Sequence, residues 1–202
     1  PLYRTDEPSP ARSSVLVRLS HSHIRIGTFQ RLSYLEDTAN IARLIDHAIA
    51  HYYPAISHND GAIRTTNFLE AVSRNVARLG AQWIAAGFVH GVLNTDNINI
   101  TGESFDYGPW RFTPHWDQRF TAAYFDSQGL YAFGRQAQAI HWDVVQLAIA
   151  LGRFVDVESL APLLDRFPAL YEAAHASAIL RRLGVRERGE AEDLALVAAI
   201  EQ

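Results

Sequence analysis

Two oxygen donors, Asn97 and Asp106, stand nine residues apart in the stretch from His90 to Pro109, and hard oxygens of this kind suit Mg²⁺ or Mn²⁺. Between them Ile98 and Ile100 alternate with Asn99, Thr101-Gly102-Glu103 supplies turn chemistry, and Phe105 begins a return. The pattern predicts two short strands that bring Asp106 back beside Asn97. Asp96 directly precedes the amide, and a carboxylate there can act as general base on a hydroxyl nucleophile if it lies within hydrogen-bond reach. An Asx-rich turn between a helix and a hairpin would also enrich Asn and Asp, so the whole string has to be weighed.

Protein kinases use related logic: a catalytic-loop Asn and the Asp of a D-F-G triplet hold the metals that bridge the ATP phosphates. Here the triplet reads Asp106-Tyr107-Gly108. The kinase pattern fails at Val92, which occupies the place of the catalytic Asp in H-R-D and cannot accept a proton. The same residue excludes the H-G-D pattern of small-molecule phosphotransferases. The full string, H-G-V-x-N-T-D-N followed by D-Y-G-P, resembles the selenoprotein O family of protein adenylyltransferases. That resemblance implies a kinase-like fold that binds ATP reversed, with the α-phosphate facing the acceptor, and transfers AMP to Ser, Thr or Tyr hydroxyls of protein substrates. It makes Asp96 the base and Asn97 and Asp106 the metal ligands, with Asp106 also at the nucleotide.

Upstream, Arg18 and Arg25 fall in a segment ending Ser22-His23-Ile24-Arg25-Ile26-Gly27-Thr28-Phe29, which is similar to the family's R-x-x-x-S-H-x-R-F-G-x-F. Guanidinium forks suit phosphate oxygens, so both arginines are expected on the terminal phosphates of ATP, although on base rates a surface Arg pairs with a carboxylate. Downstream, Asp126, Gly129, Tyr131, Phe133, Gly134, Gln136 and Trp142 match a second family block. Leu130, Arg135, Ala137, Asp143 and Gln146 depart from it, replacing an Arg, an Asn, a Pro, an Asn and an Arg. These departures describe a divergent member.

The chain has 202 residues, 48% of them hydrophobic, a net charge of −4 and a pI near 6.1. That is enough for one sizeable domain or two modest lobes, and it provides no general attraction for nucleic acid or an anionic membrane. No run approaches the apolar length of a membrane span. With no cysteine, disulfides and thiolate metal sites are excluded, and a cytoplasmic location is expected, or a mitochondrial one in a eukaryote. All 18 basic residues are Arg, so the chain cannot supply the Lys–Glu pair with which the family positions phosphates. It also has no Met, and reads as a fragment.

Several elements must position these residues. Val15-Leu16-Val17 is a candidate strand. Apolar residues at helical spacing predict a helix from Asn40 to His51, and a long buried one, capped by Thr65 or Thr66, that delivers Phe88-Val89-His90 into the loop. His90 is expected to pack and organise that loop rather than transfer protons. His47 and His51 stand four apart without a third ligand, and read as surface residues rather than a zinc pair. The aromatic run Trp110, Phe112, His115, Trp116 is expected in the core. Helices are predicted over 139–154, 158–166, 168–183 with Gly184 as stop, and 190–202. The basic run Arg181, Arg182, Arg186, Arg188 is interrupted by acids and reads as a mixed-charge surface. Together these describe an α+β, protein-kinase-like chain: residues 1–19 as a remnant of N-lobe strands, and 20–202 as a mainly helical C-lobe with a C-terminal helical subdomain. The leading function is ATP-dependent protein adenylylation. The alternative is a non-catalytic nucleotide-binding or scaffolding module, favoured by the missing Lys.

Overall fold

The longest apolar stripe in the sequence becomes the central helix of the molecule. In the computed structural model, which describes residues 17–200, that helix is α3 (Gly61–Ala85), preceded by α1 (Ile26–Tyr34) and α2 (Thr38–Tyr52). Phe68, Leu69, Val72 and Val76 on α3 are fully buried, as 3.6-residue periodicity requires of a helix with one face in the core. Asp60 caps α3, its Oδ1 accepting from the Ala62 and Ile63 amides at 2.7 and 3.1 Å. The expected caps Thr65 and Thr66 instead lie inside the helix and donate back to the Gly61 and Ala62 carbonyls. An Asx residue at the first turn outcompetes a later Thr because its short carboxylate reaches the free amides without strain.

After α3 come two two-residue strands, β1 (Phe88–Val89) and β2 (Arg111–Phe112), paired antiparallel. A 3-10 turn, Phe133–Arg135, leads into α4 (Gln136–Leu151), followed by α5 (Val157–Asp165), α6 (Phe167–Leu183) and α7 (Glu190–Ile200). Helices α4 and α6 pack on α3, and α1 packs on α4. Gly184 ends α6 in the left-handed conformation, as its position in the sequence predicts. The architecture is mainly helical with one small sheet. Among the described residues no helix is long and apolar enough to cross a membrane.

Most of the expected N-lobe remnant, residues 1–19, lies outside the described residues, Val15 and Leu16 of its candidate strand included, and Val17 has no regular structure. Two other expectations change. The predicted hairpin between Asn97 and Asp106 shrinks to a single bridge, Ile98 to Ser104. Its other edge is taken by the segment before α1, where the Ile26 and Ile100 amides donate to the Ile98 and Ile24 carbonyls, each at 2.9 Å. The aromatic run does not enter the core: Trp110, Phe112 and Trp116 are about half exposed. Both residues of β2 face solvent, so Trp110 and Phe112 gather on each other and on Phe88, with Trp110 stacked on it at 5.9 Å, while Trp116 packs edge-on against the buried Phe133 at 5.1 Å.

Candidate functional site

The loop after β1 is rooted by its apolar residues and presents its polar ones. Leu93, Ile98 and Ile100 are buried in the main core with Ile26, Phe29 and Phe68, each such side chain stabilising the arrangement by roughly 1.5–3 kcal/mol. Tyr53 donates to the Ile100 carbonyl and accepts from Asn75 on α3, which ties the loop to the central helix. Its hydroxyl is pushed up to about 12 by burial. The turn Asn94-Asp96 is an Asx turn, the Asp96 amide donating to Asn94 Oδ1 at 3.1 Å.

His90 is fully buried and is a loop organiser, as its surroundings in sequence suggested. Its backbone amide donates to Gln136 Oε1 at 2.9 Å, and Gln136 Nε2 donates to the Phe88 carbonyl at 2.9 Å. One buried amide side chain on α4 thus clasps both sides of the strand that enters the loop. The Val92 amide donates to His90 Nδ1 at 3.3 Å, which leaves Nε2 as the protonated nitrogen, 2.5 Å from the Asp106 carbonyl and 2.8 Å from Ser104 Oγ. Burial lowers the His90 pKa, with partial compensation from the Asp106 carbonyl and charge. The imidazole is therefore neutral and pins the backbone of Asp106 from below.

The structure pairs four of the sequence-predicted site residues around Phe105, and the fifth, Asn97, follows Asp96 in the same loop. Arg25 is the residue before α1, and its Nη1 lies 3.6 Å from Asp96 Oδ1. Arg18, in the irregular segment before it, has Nη1 3.4 Å from Asp106 Oδ1. That nitrogen is buried and has no hydrogen-bond partner among the described residues, so the ion pair is close but misaligned and a donor is left to spend. Both guanidinium groups lie over the Phe105 ring, Arg25 at 4.4 Å and Arg18 at 5.8 Å. Asn97 donates from Nδ2 to the Val92 carbonyl at 2.8 Å, which orients the amide and presents Oδ1. The carboxylates of Asp96 and Asp106 are 64% and 57% exposed, so a ligand can reach both. Among the described residues no three His, Asp or Glu side chains converge as a complete metal cage. An amide oxygen and one carboxylate fit a hard cation that completes its shell with water and substrate phosphate oxygens, as Mg²⁺ does.

Three residues that the sequence did not single out hold this arrangement. Phe105 has no signal beyond its place next to Asp106. Gly27 sits where a Cβ would come within 2.3 Å of Asp96 Oδ1, and its amide donates to the Thr95 carbonyl at 2.8 Å. Gly27→Ala should therefore displace the Asp96 carboxylate. We expect at least a tenfold fall in turnover with nucleotide affinity changed less than threefold, measured by initial rates beside equilibrium nucleotide binding; equal losses in both would show a general collapse instead.

Glu103 clamps the Arg18 segment to the loop. Its Oε2 accepts from Ser20 Oγ at 2.7 Å, Thr101 Oγ1 at 2.8 Å and the His21 amide at 3.1 Å, while His21 Nδ1 lies 2.9 Å from Oε1. Partial burial alone would raise its pKa, but the hydrogen bonds from His21, Ser20 and Thr101 outweigh that and hold it at about 2, against 4.5 ordinarily. Because the folded value is depressed, the clamp stabilises the fold fully above pH 4.5 and loses that contribution as pH falls toward 2. Glu103→Gln should flatten the acid limb of a urea-unfolding profile in that window. An unchanged limb would mean that the clamp contributes nothing to stability.

Among the residues that depart from the sequence block, Gln146 accepts from Gln30 at 3.0 Å, and Gln30 in turn accepts from Thr95 Oγ1 at 2.7 Å, so this replacement still reaches the loop. The His47 and His51 rings lie 4.3 Å apart and tilted at 46° on the surface of α2.

The chain is similar in sequence to known proteins. A model of the family described as protein adenylyltransferase SelO matches residues 1–202. A protein nucleotidyltransferase YdiU of Synechocystis sp. is 48% identical over 186 residues, covering 91% of this chain and 39% of that protein. The Trichormus variabilis protein of the same description is 45% identical over 195 residues, covering 96% of the chain and 40% of the relative. One from Stutzerimonas stutzeri is 37% identical over 185 residues, with 91% and 38% covered. The chain thus spans about two fifths of the length of these curated relatives.

Proposed function

The chain belongs to the SelO family of protein adenylyltransferases, and from that premise we propose that it carries the nucleotide- and metal-binding part of an enzyme that moves AMP from ATP to Ser, Thr or Tyr hydroxyls of proteins. The observation that carries the reading is the double pairing of Arg18 with Asp106 and Arg25 with Asp96 around one aromatic ring. Two guanidinium groups and two carboxylates share one open face, which supports a site for phosphates and a cation. The kinase-like organisation of the domain belongs to the same proposal.

Arg18 and Arg25 bind the β- and γ-phosphates of a reversed ATP, the unsatisfied Arg18 Nη1 giving its hydrogen bond to a phosphate oxygen. Asn97 Oδ1 and Asp106 would hold a divalent cation, Mg²⁺ or Mn²⁺, which would supply charge neutralisation on the phosphates. Asp96 accepts the proton of the acceptor hydroxyl. The acceptor oxygen bonds to the α-phosphorus, the bond from that phosphorus to the oxygen bridging to the β-phosphorus breaks, and pyrophosphate leaves. Most of the acceleration in such a step comes from positioning and charge stabilisation. That weighting fits a face whose groups are already oriented by Phe105, Gly27 and His90.

ATP labelled at the α- or the γ-phosphate, incubated with the chain, divalent metal and a protein acceptor beside Asp106→Ala, tests the reading. Protein-bound α-label that disappears in the variant supports adenylylation. γ-Label alone would replace it with kinase chemistry. Nucleotide binding without any label would favour a binding module, the reading that the absence of lysine supports.

A further inference from the structure

Two cavities share a wall beside the candidate site. The smaller, about 250 Å³, is a mainly apolar notch formed by Leu93, Leu130, Tyr131, Ala139 and Trp142, with Arg135 and Gln138 as its polar lining. Leu93 is buried and stands three residues before Asp96 in the same loop, so anything in the notch lies alongside the loop that carries the proposed base. Leu130 and Trp142 are about half exposed, leaving apolar surface uncovered where one large side chain fits.

The larger cavity, about 700 Å³, continues from Arg135 past Arg119 to Tyr124. Its one carboxylate is Asp126, and both oxygens of that group are occupied, accepting from the Leu130 and Tyr131 amides at 2.7 and 2.8 Å. Arg135 donates from Nη1 to the Gly129 carbonyl at 3.3 Å, which holds one end of its guanidinium and leaves the other nitrogens for a ligand, and neither arginine has a carboxylate partner among the described residues. The basin thus sets two arginines against the one carboxylate of Asp126, a net positive lining that meets the notch at Arg135.

The geometry points to an acceptor-binding groove: an extended polypeptide segment places an apolar side chain in the Leu93–Trp142 notch and an acidic side chain on Arg135 and Arg119, which presents its hydroxyl residue to Asp96. This rests on the adenylylation reading for the role of the hydroxyl, whereas the recognition itself needs neither ATP nor metal. Charge complementarity selects the acidic flank, and burial of one large aliphatic side chain is worth about tenfold or more in affinity.

The test uses fluorescein-labelled nine-residue peptides with a central Ser, Leu and Glu being stepped through the flanking positions of an otherwise Ala/Gly sequence. Anisotropy without nucleotide should find at least one register that binds tenfold tighter than the same peptide with Leu→Asp and Glu→Lys. Trp142→Ala should remove the Leu preference, and Arg135→Glu should shift the flank preference toward Lys, each with circular dichroism to verify the fold. Equal binding of all registers, or preferences unmoved by both variants, would overturn the groove. α-Labelled ATP then separates the two ideas: discrimination in binding without any label on the bound peptide would leave the groove standing and count against the adenylylation reading.

Discussion

Asp96→Asn is expected to slow AMP transfer by about 10²–10⁴-fold, the usual contribution of a positioned general base, while nucleotide binding stays within a factor of about three. Asparagine keeps the shape of the side chain and its place over Gly27, but it cannot take up the hydroxyl proton. The substitution also removes the partner of Arg25. That ion pair is 3.6 Å long and its carboxylate is 64% exposed, and pairs of this kind contribute at most about 1 kcal/mol, so the fold should persist. The discriminating measurement is a split: initial rates with α-labelled ATP and acceptor against equilibrium binding of ATP. A rate close to that of the parent chain would remove Asp96 from the mechanism. Loss of binding equal to loss of rate would make it a structural partner of Arg25 instead.

The second large effect lies away from the site. Asp143 on α4 is fully buried, and neither carboxylate oxygen has a hydrogen-bond partner among the described residues. Burial pushes its pKa up to about 8, against 3.8 for the ordinary group. The folded value lies above the unfolded one, so the chain is least penalised below pH 3.8, and stability is lost as pH rises from there toward 8. The loss runs at up to about 1.4 kcal/mol per pH unit, reaching on the order of 4 kcal/mol by pH 7. Asp143→Asn, which puts a neutral side chain of the same size there, should cost little at pH 3.5 and stabilise the chain increasingly up to pH 8. Urea unfolding at pH 4, 5, 6, 7 and 8 reads the difference directly. A constant offset between the two proteins across that range would mean that Asp143 is ionised or solvated in the fold. The family resemblance places an Asn at this position, so the acid is one departure whose cost can be weighed.

Much of the fold was legible because it depends on short-range periodicity. The apolar spacing of Phe68, Leu69, Val72 and Val76 identified α3, and Gly184 marked the end of α6, since both signals involve neighbours within one or two helical turns. The cap of α3 differs because Asp60-Gly61 has the composition of a turn, and the helix starts five or six residues earlier than a cap at Thr65 or Thr66 would place it. The aromatic run was misread for a related reason. Composition says that Trp and Phe are usually buried, but whether a two-residue edge strand has anything packed over it depends on distant parts of the chain.

The site divides the same way. The residue types and spacing of Asp96, Asn97 and Asp106 within one loop identified the family from sequence alone and point to the hard-cation and proton-acceptor chemistry proposed for them, because those relations are local. Which arginine faces which carboxylate, the stacking of both on Phe105, the clearance that Gly27 gives Asp96, the Glu103 clamp and the Gln136 clasp on His90 were decided only by tertiary structure. Each joins residues on separate elements with no shared period, and only the packing of α1 and α4 around the buried loop sets their distances.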